Sequence, residues 1–411
     1  MIYRDRVGSV ELYEIPVDYV ETTSVAFVVR AGSVHESDSE AGVAHFLEHV
    51  VFRGTKDFDM KELKLMVEGV GGTLNAFTGR LSTVYYAKVP SFQAEKTLKV
   101  LSSIVGFPLL REEDVEMERR IILEEYKMSL EIPEDRLHDL ALESVWGSPY
   151  GRDIIGRQET ISGISASDLR RFHGEKYVAN KIKIVMAGRT KEVKERLEDV
   201  AGLLQRDGNF EDPLEPEFVI PDKPASQTMR DLKHVHVLIL KKTPGRTEED
   251  FLKLLVLNTM LGSGMSSYLF EEIREKLGTV YDISTEVLAL KNTGVFGIYF
   301  STSPETLDIT LGRLIGKLRE FDVREYYDYG IKRYLGKMMM LLESPGGMMT
   351  YVVDRISLGC DVRDFSEYEE MIKALTVDEM RDFAEKLLSG EWAAFAVGPR
   401  GFEWDITSVN V

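Results

Sequence analysis

The chain has 411 residues, too many for one ordinary core at roughly 100 to 200 residues per domain, so two domains are expected. Its 44% hydrophobic and 29% charged residues are those of a globular protein, which excludes a disordered or fibrous one. A net charge of -18 counts against nucleic acid or an anionic membrane surface as the main partner, because both would be repelled over most of the surface.

Met1 to Glu14 alternates charged and apolar residues and lacks both the basic start and the apolar core of a signal peptide. No stretch approaches the ~20 apolar residues needed to span a bilayer. The single cysteine, Cys360, cannot form an intrachain disulfide and is read as a buried thiol. A cytoplasmic address is the expectation.

Ser24 to Arg30 is predicted as a strand. From Gly42 to Arg53 the apolar residues Val43, Phe46, Leu47, Val50 and Val51 fall at i, i+3, i+4, i+7 and i+8, the core stripe of an amphipathic helix. His45, Glu48 and His49 stand at i, i+3 and i+4, so they share a second face of that helix. Two imidazoles one turn apart can bind one metal ion, with the carboxylate between them lying beside it. This order, His-x-x-Glu-His, is the inverted zinc-peptidase motif. With seven His in the chain it would arise by chance roughly 0.01 times, so coincidence is a poor account of it.

A catalytic zinc needs three protein ligands and an open position. The third must come from elsewhere. Asn75 to Lys88 reads as a strand pair after the turn at Gly71 and Gly72, and Glu112 to Met128 as a helix with Glu118, Ile122 and Glu125 on one face. By spacing alone Glu118, Glu124 or Glu125 could complete the site.

Ser165 and Thr376 each read as the N-cap of a helix leading into an apolar strand, Lys181 to Gly188 and Glu391 to Gly398. Between them Arg206 to Ser226 holds four of the 13 prolines and no helical period, and is read as a linker. Beyond it His234 to Lys241 is a predicted strand, whose His234 and His236 are expected to serve packing or to face solvent.

At an offset near 212 the chain repeats itself: Leu130, Glu131 and Pro133 recur as Leu342, Glu343 and Pro345, and Gly147 as Gly359. Ile161, Ile164, Leu169 and Phe172 are answered by Ile372, Leu375, Met380 and Phe383. Two homologous domains, 1–210 and 211–411, follow, each a layered mixture of helices and sheet. At this offset Glu125 is answered by Lys337, which cannot ligate a metal while charged.

The stretch Gly42-Val-Ala-His45-Phe-Leu-Glu48-His49 with Phe52-Arg-Gly-Thr55, followed by Glu118-Arg119 and Ile121-Ile-Leu-Glu124-Glu125, resembles the pitrilysin family. That family includes the mitochondrial processing peptidase and insulin-degrading enzyme. The resemblance implies an α+β fold of two homologous α/β sandwich domains, each a mostly antiparallel sheet packed with helices. It implies one Zn2+ per chain on His45, His49 and Glu125, with Glu48 as catalytic base and Glu118 supporting a zinc histidine. Gly71 to Thr78 resembles the family's edge strand, where Asn75 and Ala76 hold substrate backbone, although Leu81 departs from the pattern. Arg274 and Tyr281 match its pair of donors to substrate carbonyls.

The resemblance thus implies a zinc endopeptidase that cleaves peptides or unfolded polypeptides in a chamber. A chain of this length corresponds to half of the long members, so a homodimer is expected, with Arg274 and Tyr281 open to service in cis or in trans. The alternative is a non-catalytic or partner-dependent subunit of a processing-peptidase-like complex.

Overall fold

The computed structural model describes residues 1–411 apart from 195, 198–203 and 205 and the side chains of Glu192 and Lys194. Two compact units account for them, one built from 1–126, 153–214 and 339–365, the other from 127–152, 215–338 and 366–411.

The first unit holds six strands: β1 (Tyr3–Val7), β2 (Val10–Pro16), β3 (Thr22–Val29), β4 (Thr73–Thr78), β5 (Thr83–Pro90) and β6 (Ile182–Gly188). Their order is β1-β2-β6-β3-β5-β4; β2 and β6 run parallel and every other pair is antiparallel. Helices α1 (Val43–Val50), α2 (Met60–Glu68), α3 (Ala94–Gly106) and α4 (Glu112–Ser129) come before α5 (Pro133–Trp146), and α6 (Gln158–Gly163) and α7 (Ala166–Lys176) come after it. The core lies between one sheet face, with Val25, Phe27, Val29, Tyr85 and Ala87, and the helices that supply Phe46, Leu47, Leu98 and Leu101. Each fully buried Val, Leu or Phe among them contributes about 1.5–3 kcal/mol of transfer free energy.

The second unit repeats this plan. Strands β7 (Ala225–Thr228), β8 (Val235–Pro244), β9 (Val280–Ala289), β10 (Thr293–Thr302), β11 (Glu391–Gly398) and β12 (Ser408–Asn410) form one sheet with the path β12-β11-β8-β10-β9, and β7 pairs parallel to β11. The path β11-β8-β10-β9 reproduces β6-β3-β5-β4, and β7 stands to β11 as β2 stands to β6. Beyond β7 the chain also forms α8 (Phe251–Leu261), a π-helical turn at Phe270–Glu275, α9 (Leu307–Glu320), α10 (Val323–Leu341), α11 (Pro345–Ile356), α12 (Phe365–Ala374) and α13 (Val377–Leu388), of which α11 belongs to the first unit. The two N-caps read from the sequence are present, Ser165 accepting from Asp168 N and Thr376 from Glu379 N.

The units are not the contiguous halves 1–210 and 211–411. Helix α5 packs on β11, β8 and β7 of the second sheet, and α11 packs on β3, β6 and β2 of the first. The reason lies in the central strands, which are apolar on both faces. Ala26, Val28, Val185 and Ala187 on the first sheet, and Leu238, Leu240, Phe395 and Val397 on the second, are all fully buried yet outside the main cores. A strand buried on both faces needs a second covering layer, and in each unit the other half of the chain supplies it. Both helices open with proline, Pro133 and Pro345, where the missing N–H has no intrahelical role. These are the segments in which the repeat of sequence is plainest.

The Met1–Glu14 alternation is a hairpin that the sequence reading did not identify, turning at Gly8 with φ +60. The Arg206–Ser226 segment is irregular up to β7, and its Asp212 pairs with Arg30 and His35. Among the described residues no helix is long and apolar enough to cross a membrane.

Candidate metal centre

Helix α1 begins at Gly42, whose φ of +95 favours glycine; a side chain there would meet the carbonyl of Ile155. The first turn is capped from a distance. The buried carboxylate of Glu36 accepts from Gly42 N at 3.0 Å and from Ala44 N at 2.8 Å, placing negative charge at the positive end of the helix. Val43, Phe46, Leu47 and Val50 enter the core, which leaves His45, Glu48 and His49 on the half-buried face.

Helix α4 buries Val115, Glu118 and Ile122 and carries Glu125 one turn further on. Glu125 reaches both imidazoles, with Oε1 at 3.8 Å from His45 Nε2 and Oε2 at 3.4 Å from His49 Nε2. Glu118 approaches the other nitrogen of the second ring, its Oε2 lying 3.3 Å from His49 Nδ1, and its Oε1 is paired with Arg53. Of the three carboxylates that spacing left open, Glu125 is the one the structure brings to both rings. His45, His49 and Glu125 form the one potential metal-ligand cluster among the described residues, with ligand atoms all within 4.8 Å of one another.

The donor set fits zinc. Bonds of about 2.0–2.2 Å in a tetrahedron put ligand atoms about 3.4 Å apart, against 3.4 and 3.8 Å from the Glu125 oxygens to the two rings and 4.8 Å as the outer limit of the cluster. The Glu125 side chain remains 48% exposed, so the cluster is open to solvent on that side. Glu118 lies at His49 Nδ1, on the far side of the ring from the cluster that Nε2 faces, where a carboxylate can orient a metal-binding histidine.

Burial and charge treat the two rings oppositely. Burial holds His45 down at about 4, reinforced by His49 and only partly offset by Glu125. His49 is also penalised by burial, but hydrogen bonds to Glu118 and Glu125 and the charge of Glu48 lift it to about 9. Burial raises the Glu48 carboxyl, with His49 and a hydrogen bond from Thr78 opposing. Thr78 Oγ1 donates to Glu48 Oε2 at 3.0 Å from the end of β4.

Over residues 15–158 the chain matches the family described as Insulinase (Peptidase family M16), and over 163–322 the Peptidase M16 inactive domain. An uncharacterized zinc protease of Mycobacterium leprae is 30% identical over 395 residues, covering 92% of this chain and 87% of that protein. The chain belongs to peptidase family M16. Another M16 relative, the uncharacterized zinc protease YmxG of Bacillus subtilis, is 26% identical over 93% of this chain and 94% of its own length. The fold matches a protease from Helicobacter pylori with TM-score 0.85 at 20% identity, over 97% of this chain and 100% of that one. The relatives from Mycobacterium leprae and Bacillus subtilis, both named zinc proteases, support a zinc peptidase.

The remaining predicted positions are distributed over both units. Asn75 and Ala76 lie on β4, at the edge of the first sheet, and Asn75 Oδ1 accepts from Ala76 N at 2.8 Å. Arg274 and Tyr281 are neighbours in the second unit, the guanidinium 5.8 Å from the ring centroid, with Tyr281 78% exposed. His236 is buried and bonded to Tyr299 at 2.8 Å, while His234 is exposed just before β8. No helical or strand period marks Glu36, Arg53 or Thr78 as part of the site. Thr78 ends the Gly71–Thr78 stretch that resembles the family's edge strand, but nothing in the spacing ties residue 78 to residue 48.

Proposed function

We propose that this M16 chain is a zinc endopeptidase that hydrolyses peptides or unfolded polypeptides, with one Zn2+ held by His45, His49 and Glu125. The observation that carries the reading is the convergence of these three side chains beside Glu48. A zinc ion held by these three side chains would supply a bound water with its pKa lowered to about 7 and a Lewis acid for the peptide carbonyl.

Glu48 then accepts a proton from the attacking water and returns it to the leaving amine. A carboxyl raised by burial is a stronger base than an exposed one, and Thr78 fixes Oε2 so that Oε1 is left for the transfer. The unpaired edge of β4 at Asn75 and Ala76 suits an extended substrate backbone added as a further strand. Arg274 and Tyr281 are both donors, suited to a substrate carbonyl or the oxyanion formed from it.

Glu48→Gln should keep its zinc and lose hydrolysis of a mixed peptide library. A variant cleaving at near the native rate would overturn the assignment. We further propose a homodimer in which Arg274 and Tyr281 serve the partner's metal site. Mixing His49→Ala with Arg274→Ala protein should restore activity, and no recovery after demonstrated subunit exchange would count against it.

A further inference from the structure

The second unit carries, at the places that correspond to the metal site, a different arrangement. At the repeat offset His45, Glu48 and His49 are answered by Leu257, Met260 and Leu261 on α8, all fully buried, and Glu125 by Lys337 on α10. Lys337 and Arg333 stand at i and i-4, one turn apart on the same helix face. Both engage one residue of the loop that follows α8: Arg333 Nε donates to Ser263 O at 2.9 Å, and Lys337 Nζ to Ser263 Oγ at 2.6 Å.

The loop is shaped to receive them. Gly264 has φ +120, and any side chain there would run into the Arg333 guanidinium. Tyr329 flanks the guanidinium on the helix side, with its ring centroid 5.8 Å from Cζ. Met265 is 77% exposed, Ser266 is exposed, and the backbone N–H groups of both have no acceptor among the described residues.

What this arrangement lacks is a counter-charge. Neither Arg333 nor Lys337 pairs with a carboxylate among the described residues, in a chain whose net charge is -18. Glu271, which acts on Tyr329, receives the Tyr326 hydroxyl at 3.2 Å. Two cations held one turn apart repel each other, and a single anion between them and the free loop N–H groups would relieve this.

We propose that the Ser263–Ser266 loop with Arg333 and Lys337 is a binding site for a small oxyanion, a carboxylate or a phosphate. Arg333 provides the planar donor pair, Lys337 the mobile charge, and Met265 and Ser266 the backbone donors. Such a group has two sources, a peptide C-terminus or free phosphate. The proposal does not rest on the peptidase reading, because binding here needs neither zinc nor turnover.

The test is calorimetric titration of the full chain with inorganic phosphate, with an N-acetylated dipeptide bearing a free C-terminus, and with its C-terminal amide. At least one of the two anions should bind, with affinity falling at least tenfold in Lys337→Met and recovering in Lys337→Arg. Preference for the free acid over the amide identifies a chain terminus, and binding of phosphate alone identifies phosphate. No binding by either anion, or equal binding in Lys337→Met with its melting temperature unchanged, overturns the site and leaves the two cations as fasteners of the loop.

Discussion

Thr78 ties the last residue of an edge strand to the candidate base, donating to Glu48 Oε2 at 3.0 Å. The strand proposed to hold substrate and the group proposed to move its proton are therefore mechanically connected. A hydrogen bond to a charged group contributes about 1.5 kcal/mol, equivalent to about tenfold in rate. Thr78→Val should lower kcat by about that factor, with KM and zinc content unchanged, and Thr78→Ser should restore it. Equal losses in both variants would show that Thr78 serves only to pack the strand.

Glu118 is proposed to act on zinc only through His49, so its loss should register in metal retention before anything else. Its carboxyl is held low: burial opposes ionisation, but His49 and Arg53 outweigh it. Glu118→Gln keeps the shape and loses the charge, and zinc affinity should weaken by about 10- to 100-fold in competition with a chelator. An unchanged affinity would mean that the His49 ring is oriented by packing alone.

The exchanged helix α5 offers a pH test remote from the metal. His138 Nε2 lies 2.8 Å from both oxygens of Glu286, and this hydrogen bond, against burial, raises the imidazole to about 9. A histidine whose pKa is higher folded than unfolded stabilises fully below the unfolded value, about 6.5, and that stability disappears as pH rises through 9. The side chains are 35% and 40% exposed, so screening leaves about 1 kcal/mol, or ~1 °C in Tm for a chain of this length. His138→Gln should melt lower than the native chain at pH 6 and alike at pH 10. A constant difference across that range would reject the ion pair as its source.

Much of the site could be read in the sequence because it is local. The apolar stripe of α1 and the triad His45, Glu48 and His49 are set by helical period alone, and the caps at Ser165 and Thr376 by residue type. Glu125 was different. Spacing left it level with Glu118 and Glu124, and the family resemblance singled it out before any geometry did. What the sequence withheld is long-range. Glu36 caps α1 from outside the helix, in place of the usual Ser, Thr, Asp or Asn at the N-cap. The run Thr22–Val29 signals burial on both faces, but no pattern within it says which helix covers the second face.

That second cover has a consequence for how the molecule is made. A ribosome delivers β6, and with it the last strand of the first sheet, long before it delivers α11. At 5–20 residues per second the interval is roughly 10 to 30 s. Throughout it Ala26, Val28, Val185 and Ala187 lack the cover that α11 gives them, although His45, His49 and Glu125, the candidate metal ligands, have already been synthesised. The half that carries the candidate metal ligands thus receives the second cover of its sheet from the other half, and either half made alone would leave one face of its sheet bare.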